Sequence, residues 1–374
     1  MLSILHTADW QIGRVFAQFE PDDAAALFEA RFAVVERLAG IATNRGLDAI
    51  LVAGDVFDAQ TVADKTIRRL FYAMQGFTGP WVLIPGNHDA ALAESVWSRA
   101  RRLGAIPSNV TVCLEPKPLV VGGKFTLLPA PLTQRQTYAD LTEWFAAHIS
   151  TDDLPRIGLA HGSVQGILPE EVDSANPIAA GRAQGADLAY LALGDWHGTK
   201  RVDGRTWYAG TPESDRFKAN DSGQALLVSI EAAALEPVVT TVPTGKFNWR
   251  QVEKQITVDS DVDEVLLMLN AVGGSDVLHV RLSGTCNLAA HRKLSASLGT
   301  ARAKARAVLW DVAALRLEPT EEDIQALHAD GYVGEVLEEL REQQAGAEPE
   351  LARDAILALA RILDDHGAGM GVGA

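Results

Sequence analysis

Five short stretches of this chain end an apolar run in residues that can bind a cation or move a proton. They are Asp9-Trp10-Gln11, Gly54-Asp55-Val56-Phe57-Asp58, Gly86-Asn87-His88-Asp89, His161-Gly162 and Gly194-Asp195-Trp196-His197. Carboxylates, amide oxygens and imidazoles are ligands for Mn2+, Mg2+, Fe2+ or Zn2+. Asp9 and Gln11 are two residues apart, as are Asp195 and His197. In an extended segment such residues point the same way, so each pair can offer two ligands to one site. A single carboxylate, best placed at Asp55, would bridge two ions about 3.5–4 Å apart, a geometry that binds phosphate and stabilises a leaving oxygen. His88 follows Asn87 directly and would stabilise a charged transition state or protonate the leaving group. Asp89 would orient that imidazole.

The elements that must position these residues alternate. Ser3–Ala8, Asp48–Gly54, Pro80–Pro85, Val110–Leu114, Phe125–Pro129, Arg156–His161 and Leu188–Gly194 are short apolar runs suited to strands buried on both faces. Helical patterns lie between some of them, at Ala24–Thr43, Val62–Gln75, Ala91–Arg102 and Tyr138–His148. That alternation predicts a layered α/β domain over residues 1–245, with sites beyond the carboxyl ends of its strands. Thr206–Ala209, Ala225–Ile230 and Val238–Val242 would extend the sheets in antiparallel fashion, and Pro243-Thr244-Gly245 reads as a linker. Residues 246–317 read as a smaller α+β unit, and residues 318–366 as two helices. The first helix would begin at a Thr320/Asp323 capping box, and 367–374 would be a disordered tail.

In this order the five motifs resemble those of the calcineurin-like metallophosphoesterase superfamily: DxH, GDxxD, GNHD/E, a lone His and GHxH. The longer context, ILHTADWQIGR, GDVFD, PGNHD and YAGTPE, resembles the DNA repair exonuclease branch, the SbcD and meiotic-recombination-eleven type of nuclease subunit. The resemblance covers residues 1–245 well and the remainder only in layout. It implies a four-layer α/β/β/α sandwich with a smaller α+β capping domain and C-terminal helices. It assigns one metal to Asp9, Gln11, Asp55 and His197, and a second to Asp55, Asn87, His161 and Asp195, with His88 as the catalytic histidine. It also implies 3′–5′ exonuclease and single-strand or hairpin endonuclease activity within a double-strand-break repair complex. The expected partners are DNA and a coiled-coil ABC-type ATPase, and a homodimer is expected on the same ground. No GxxxxGK[ST] loop occurs in this chain, so ATP hydrolysis would come from another one.

Two positions depart from the pattern. Gln11 stands where the family has His, and Asp195 replaces the first His of GHxH. Both still coordinate through oxygen, which favours Mn2+ or Mg2+ over Zn2+. Two other readings stand beside the nuclease: an esterase acting on nucleotides or small diesters, and a catalytically weakened scaffold for the ATPase.

A formal net charge of −16 argues against a broad nucleic-acid surface. The acidity is uneven, however. Residues 318–366 hold fourteen carboxylates against three arginines, whereas 277–310 hold no acidic residue at all. Arg292, Lys293, Arg302, Lys304 and Arg306 in that second stretch are candidate DNA-backbone contacts or simply a solvated face. Two cysteines without a CxxC pair argue against structural zinc or a disulfide framework. With no signal-like or membrane-spanning segment, the expectation is a soluble cytoplasmic protein and no membrane partner. His6 reads as a hydrogen-bonded core histidine and Asp58 as a loop or cap residue. Trp10 and Trp196 read as packing that stiffens the site. Asp215, Arg216 and Lys218, after YAGTPE, could lie near the substrate.

Overall fold

The computed structural model describes residues 1–148, 153–167, 175–318, 320 and 331–370. Two compact units divide it, Met1–Phe247 and Asn248–Ala374.

The first unit is built on two mixed six-stranded sheets. In one, Leu2–Thr7, Ala49–Ala53, Trp81–Ile84 and Val110–Val112 run parallel, and Gln224–Ile230 and Val238–Pro243 continue it antiparallel beyond the first strand. In the other, Phe125–Ala130, Arg156–His161, Tyr190–Gly194 and Thr206–Tyr208 run parallel. Leu119–Val121 and Lys200–Arg201 form its antiparallel edges. Ile4, Leu51, Ala53 and Val82 of the first sheet share one core with Phe125, Leu127, Leu159 and Ala192 of the second. The outer face of the first sheet is covered by helices Pro21–Arg45, Asp64–Ala73 and Val96–Arg102. The outer face of the second carries Phe145, Ala183 and Ala186 from short helices. The order of layers is therefore α/β/β/α, and strands covered on both sides explain the unbroken apolar runs.

Several local expectations change. Thr206–Tyr208 pairs parallel with Tyr190–Gly194, not antiparallel, because the chain returns through the edge strand Lys200–Arg201 before entering it. The helix expected from Ala91 begins only at Val96, where Ser95 and Ser98 form a reciprocal capping box. The helix expected over Tyr138–His148 shrinks to Trp144–Ala147. Its first half is a turn, in which the Asp140 carboxylate accepts the Thr142 and Ala179 amides and pairs with Arg182. Pro243-Thr244-Gly245 is not a free linker. The Thr244 and Gly245 amides both donate to Gly223, and the Glu213 carboxylate holds the amides of Lys246 and Phe247. These bonds carry the first unit to Phe247.

The second unit holds a three-stranded parallel sheet, Asn248–Ile256, Asp276–Cys286 and Ala307–Leu317, with helices Asp259–Asn270 and Leu288–Lys304. The helices Tyr332–Gln343 and Pro349–Met370 belong to this unit's core. Leu337, Ile356 and Ala360 pack with Leu278, Leu315 and Leu317, and the Gln344 amide bonds both the N–H and the carbonyl of Leu317. Deleting 318–366 would therefore open the unit rather than remove a separate element. The last helix runs to Met370, across residues 367–370 of the expected tail. Asp323 of the expected capping box and residues 371–374 lie outside the described residues. No helix among the described residues is long and apolar enough to cross a membrane.

His6 is buried in the first strand. Tyr190 Oη donates to its Nδ1 (2.9 Å), and its Nε2 donates to the Leu193 carbonyl (3.2 Å). Burial pushes its pKa down to about 3, against the raising influence of the Leu193 bond. Below about pH 6.5 the unfolded chain takes up a proton that folded His6 refuses. Stability is thus fully present above that pH and lost as pH falls toward 3. Urea unfolding of the wild type and His6→Gln between pH 7 and 4 should differ in slope by one proton, about 1.4 kcal/mol per pH unit. Parallel slopes would refute the assignment.

Candidate metal centre

The carboxyl ends of five strands converge on one rim of the sandwich, where Leu2–Thr7, Ala49–Ala53, Trp81–Ile84, Arg156–His161 and Tyr190–Gly194 release their polar residues. Ligand atoms of Asp9, Asp55 and His161 lie within 4.8 Å of one another, and all three residues are buried.

The corners that carry the ligands are not extended. Asp9, Gln11, Asp55 and Asp195 all take positive φ, at 53°, 50°, 51° and 104°. Asp9 and Gln11 are therefore brought together by two left-handed residues flanking a fixed Trp10, and not by strand alternation as the spacing suggested. The Asp9 amide bonds the Gly54 carbonyl, and the Gln11 amide bonds the Asp55 carbonyl. Trp10 is fully buried, edge-on to Trp81 at 5.9 Å, with its indole N–H on Thr7. Such conformations are costly for residues other than glycine and persist where the surroundings impose them. Glycines make room for the cluster. A side chain at Gly86 would strike the Asp55 carboxylate, and one at Gly194 would strike the Ala53 carbonyl.

One group of candidates is tightly gathered. The Nδ1–H of His161 is held by the Ala53 carbonyl at 2.8 Å, which leaves Nε2 facing inward. That Nε2 lies 2.9 Å from Asn87 Oδ1, and 3.6 Å from both Asp55 Oδ1 and Asp195 Oδ1. The Asp195 amide donates to the Asp9 carboxylate at 3.2 Å, and Gln11 Nε2 donates to Asp55 Oδ2 at 2.9 Å. Burial raises the Asp9 pKa to about 6, although His197 and His161 pull it down; burial raises Asp195 as well. For His161, burial disfavours the charged ring, but Asp55, Asp195 and Asp9 outweigh it and lift its pKa to about 9. Crowded carboxylates in a desolvated site favour a cation.

Two further observations fit one. Gln11 Oε1 is buried without a hydrogen-bond donor among the described residues. Asn87 turns its Oδ1 toward acceptors, although the reversed amide could donate to both Asp55 oxygens at 3.2 Å. Divalent ions at the cluster would satisfy these amide oxygens, Gln11 in one ligand set and Asn87 in the other.

His197 stands differently. Its Nδ1–H points to the buried Asp215 carboxylate, at 3.2 Å from Oδ2, and Arg216 Nη2 lies 3.0 Å from the same nitrogen and 3.2 Å from Nε2. His88 is partly exposed at the mouth, with its amide on Asp55 Oδ1 (2.9 Å) and its Nε2 3.9 Å from Asp55 Oδ2. Its Nδ1–H is held by the backbone carbonyl of Asp58 at 2.8 Å. Asp89 does not orient it. The Asp89 carboxylate accepts the amides of Gly86 (2.7 Å) and Phe57 (3.1 Å), locking the GNHD corner to the GDVFD corner. Burial and then Asp55 raise its pKa to about 7, despite those two bonds.

Sequence reasoning missed the support behind His197. Arg31, fully buried in the first helix, bonds the Glu213 carbonyl and Thr211 Oγ1 and lies 3.7 Å from Asp215. The available signal was an arginine inside the apolar stripe Leu27, Arg31, Val34, Val35, Leu38. The candidate DNA contacts Arg292, Lys293, Arg302 and Lys304 are exposed in the second unit, and Arg306 is half-buried there.

Comparison with known proteins adds relatives. The chain is 26% identical over 313 residues to a Bacillus subtilis (strain 168) protein named as a subunit of the nuclease SbcCD, covering 70% of this chain and 76% of that one. A Rhodobacter capsulatus protein named in the same way is 36% identical over 95 residues, 24% of this chain and 22% of that one. Among solved structures, a Thermus thermophilus protein aligns with a TM-score of 0.41 at 15% identity, over 65% of this chain and 99% of that one. The family model for calcineurin-like phosphoesterases matches residues 2–228, the stretch that supplies every strand end around the cluster, and the chain belongs to that family.

Proposed function

We propose that the protein is a metal-dependent DNA nuclease, of the 3′–5′ exonuclease and single-strand or hairpin endonuclease type. In this reading it serves as the nuclease subunit of a double-strand-break repair complex. The observation that carries the hydrolytic part is the buried convergence of Asp9, Asp55 and His161, with the unsatisfied Gln11 oxygen beside it. The DNA part is supported by the similarity to proteins named as nuclease subunits.

Asp55, Asn87, His161 and Asp195 would hold one divalent ion, and Asp9, Gln11, Asp55 and His197 the other. Bound there, the pair would supply charge neutralisation of the phosphate and activation of water. The residues do the rest. His88, held through Nδ1, keeps Nε2 directed at the mouth, where it can donate a proton to the leaving oxygen. The Ala53 carbonyl fixes the His161 tautomer, and Asp215 fixes that of His197. Asp89 keeps two ligand corners in register.

The oxygen-rich donor set favours Mn2+, with Mg2+ next. Exposed Arg292, Lys293, Arg302 and Lys304, together with Arg306, would contact the DNA backbone. The outer face of the C-terminal helices would meet the coiled-coil ABC-type ATPase.

A nuclease assay on 3′-recessed duplex and hairpin DNA tests the proposal, with Mn2+, Mg2+ and Zn2+ compared. Cleavage should be greatest with Mn2+. Hydrolysis of mononucleotides alone would replace the reading by a nucleotide esterase. A protein inert with every ion that still bound the ATPase would be a scaffold.

A further inference from the structure

The buried carboxylate of Asp215 is shared by more cations than its place behind His197 requires. Arg31 approaches it from inside the protein at 3.7 Å. Arg14 Nη1 reaches Asp215 Oδ2 at 3.2 Å, and Arg216 engages both oxygens, Nε to Oδ1 at 3.1 Å and Nη2 to Oδ2 at 3.2 Å. Fixing the His197 tautomer needs only the carboxylate, and Arg31 already balances its charge. Arg14 finds a second carboxylate in Asp58, at 3.7 Å. Three guanidiniums thus meet at the one carboxylate of Asp215, with Asp58 and Glu213 the other anions facing them. Guanidiniums crowded at one carboxylate repel each other unless an anion joins them.

Where Arg14 and Arg216 sit gives that anion an address. Their side chains are 26% and 43% exposed, whereas those of Asp55 and His161 are 3% and 0% exposed. Arg14 spans the two sides of the mouth: its partner Asp58 holds His88 through the backbone carbonyl, and its partner Asp215 holds His197. Among the described residues, Nε and Nη2 of Arg14 and Nη1 of Arg216 make no hydrogen bond or ion pair. Those N–H groups remain for a ligand.

We infer that Arg14 and Arg216 form a clamp for a backbone phosphate next to the scissile one, on the strand entering the metal centre. The inference rests on the nuclease reading for the identity of the strand. Arginine suits the task because it stays charged and offers paired N–H donors to the oxygens of a phosphate. Asp215 pre-sets both side chains, so little freedom is lost when the phosphate arrives.

The test separates binding from cleavage. Fluorescence anisotropy of a labelled single-stranded oligonucleotide is measured over a salt series on the full chain, with Ca2+ in place of Mn2+. Arg14→Gln and Arg216→Gln should each weaken binding about tenfold. Each should also reduce the slope of log affinity against log salt by about 0.7. Arg216→Lys should restore the slope but not the whole affinity, which a purely structural role would not produce. Lys124→Gln, the same charge change on an exposed side chain paired with Asp48 at the amino-terminal ends of the strands, should do neither. If Arg14→Gln does not fold, the more exposed Arg216→Gln carries the test. A wild type that does not bind, or a folded Arg216→Gln with unchanged affinity and slope, overturns the clamp. Cleavage in Mn2+ reads the nuclease assignment separately: binding that depends on both arginines without cleavage would sustain the clamp and remove the nuclease.

Discussion

Asp55→Asn should abolish stabilisation by divalent ions and lower phosphodiester cleavage by about a thousandfold or more. The substitution removes the charge and turns one of two acceptor oxygens into an N–H donor. Asn has the shape of Asp, and it is among the few residues that tolerate φ near 51°, the value at this corner. The Asp55 carboxylate takes a hydrogen bond from Gln11 Nε2 on one oxygen and from the His88 amide on the other, and it faces His161 Nε2 at 3.6 Å. It is thus the group that both ligand sets share. Without metal, its charge has opposed effects: it raises the pKa of Asp9 and of Asp89, after the larger effect of burial on each, and it favours the charged His161 ring. Removing it relieves Asp9 and Asp89 but also takes away the partner of His161, so the metal-free protein should change little in stability. The metal-bound state is what suffers, because stabilisation by a ligand follows its affinity. Melting temperatures with and without saturating Mn2+ check this directly. The wild type should show a clear upward shift and Asp55→Asn none. A variant that kept the wild-type shift would remove Asp55 from the centre.

That corner also marks how far the sequence could be read. The apolar runs ending in Asp9, Asp55, Asn87, His161 and Asp195 were visible because strands covered on both faces are uniformly apolar, and their ends stand out. A layered α/β domain followed from the same runs, and its four-layer order from the family resemblance. The backbone at the ends was not visible. Only glycine announces a left-handed residue, and here Asp9, Gln11, Asp55 and Asp195 adopt positive φ under constraint from neighbouring loops. The partners of the histidines were equally hidden. Asp89 follows His88 in sequence, yet its carboxylate turns to the amides of Gly86 and Phe57, and a backbone carbonyl holds the imidazole instead. Backbone carbonyls have no sequence signature. Asp215 is another case, since its link to His197 exists only once the chain has passed through an edge strand and returned. For the C-terminal helices, the apolar stripes marked a buried face. They could not say that Leu337 and Ile356 would complete the core of the three-stranded sheet.

His88→Gln should lower kcat on DNA by about a hundredfold to a thousandfold while leaving the Mn2+-induced melting shift in place. His88 is 32% exposed, against 3% for Asp55 and 0% for His161, and its Nε2 stands 3.9 Å from the nearer Asp55 oxygen. It is close enough to meet a phosphate held at the cluster, and open enough to exchange its proton with water. With Nδ1–H bound to the Asp58 carbonyl, the ring cannot turn without losing that bond, so Nε2 has a fixed direction. Two roles fit this position, and the leaving group distinguishes them. A ribose alkoxide is a poor leaving group that gains from protonation, whereas p-nitrophenolate leaves readily without it. If His88 is the general acid, the variant should lose far more on DNA than on bis(p-nitrophenyl) phosphate. Equal losses on both substrates would make it an electrostatic stabiliser of the phosphorane-like charge. Equal rates for variant and wild type would leave proton transfer to a group outside this loop. The expectation is the unequal loss, because the held imidazole is the protonatable side chain that the site exposes at its mouth without assigning it to a cation.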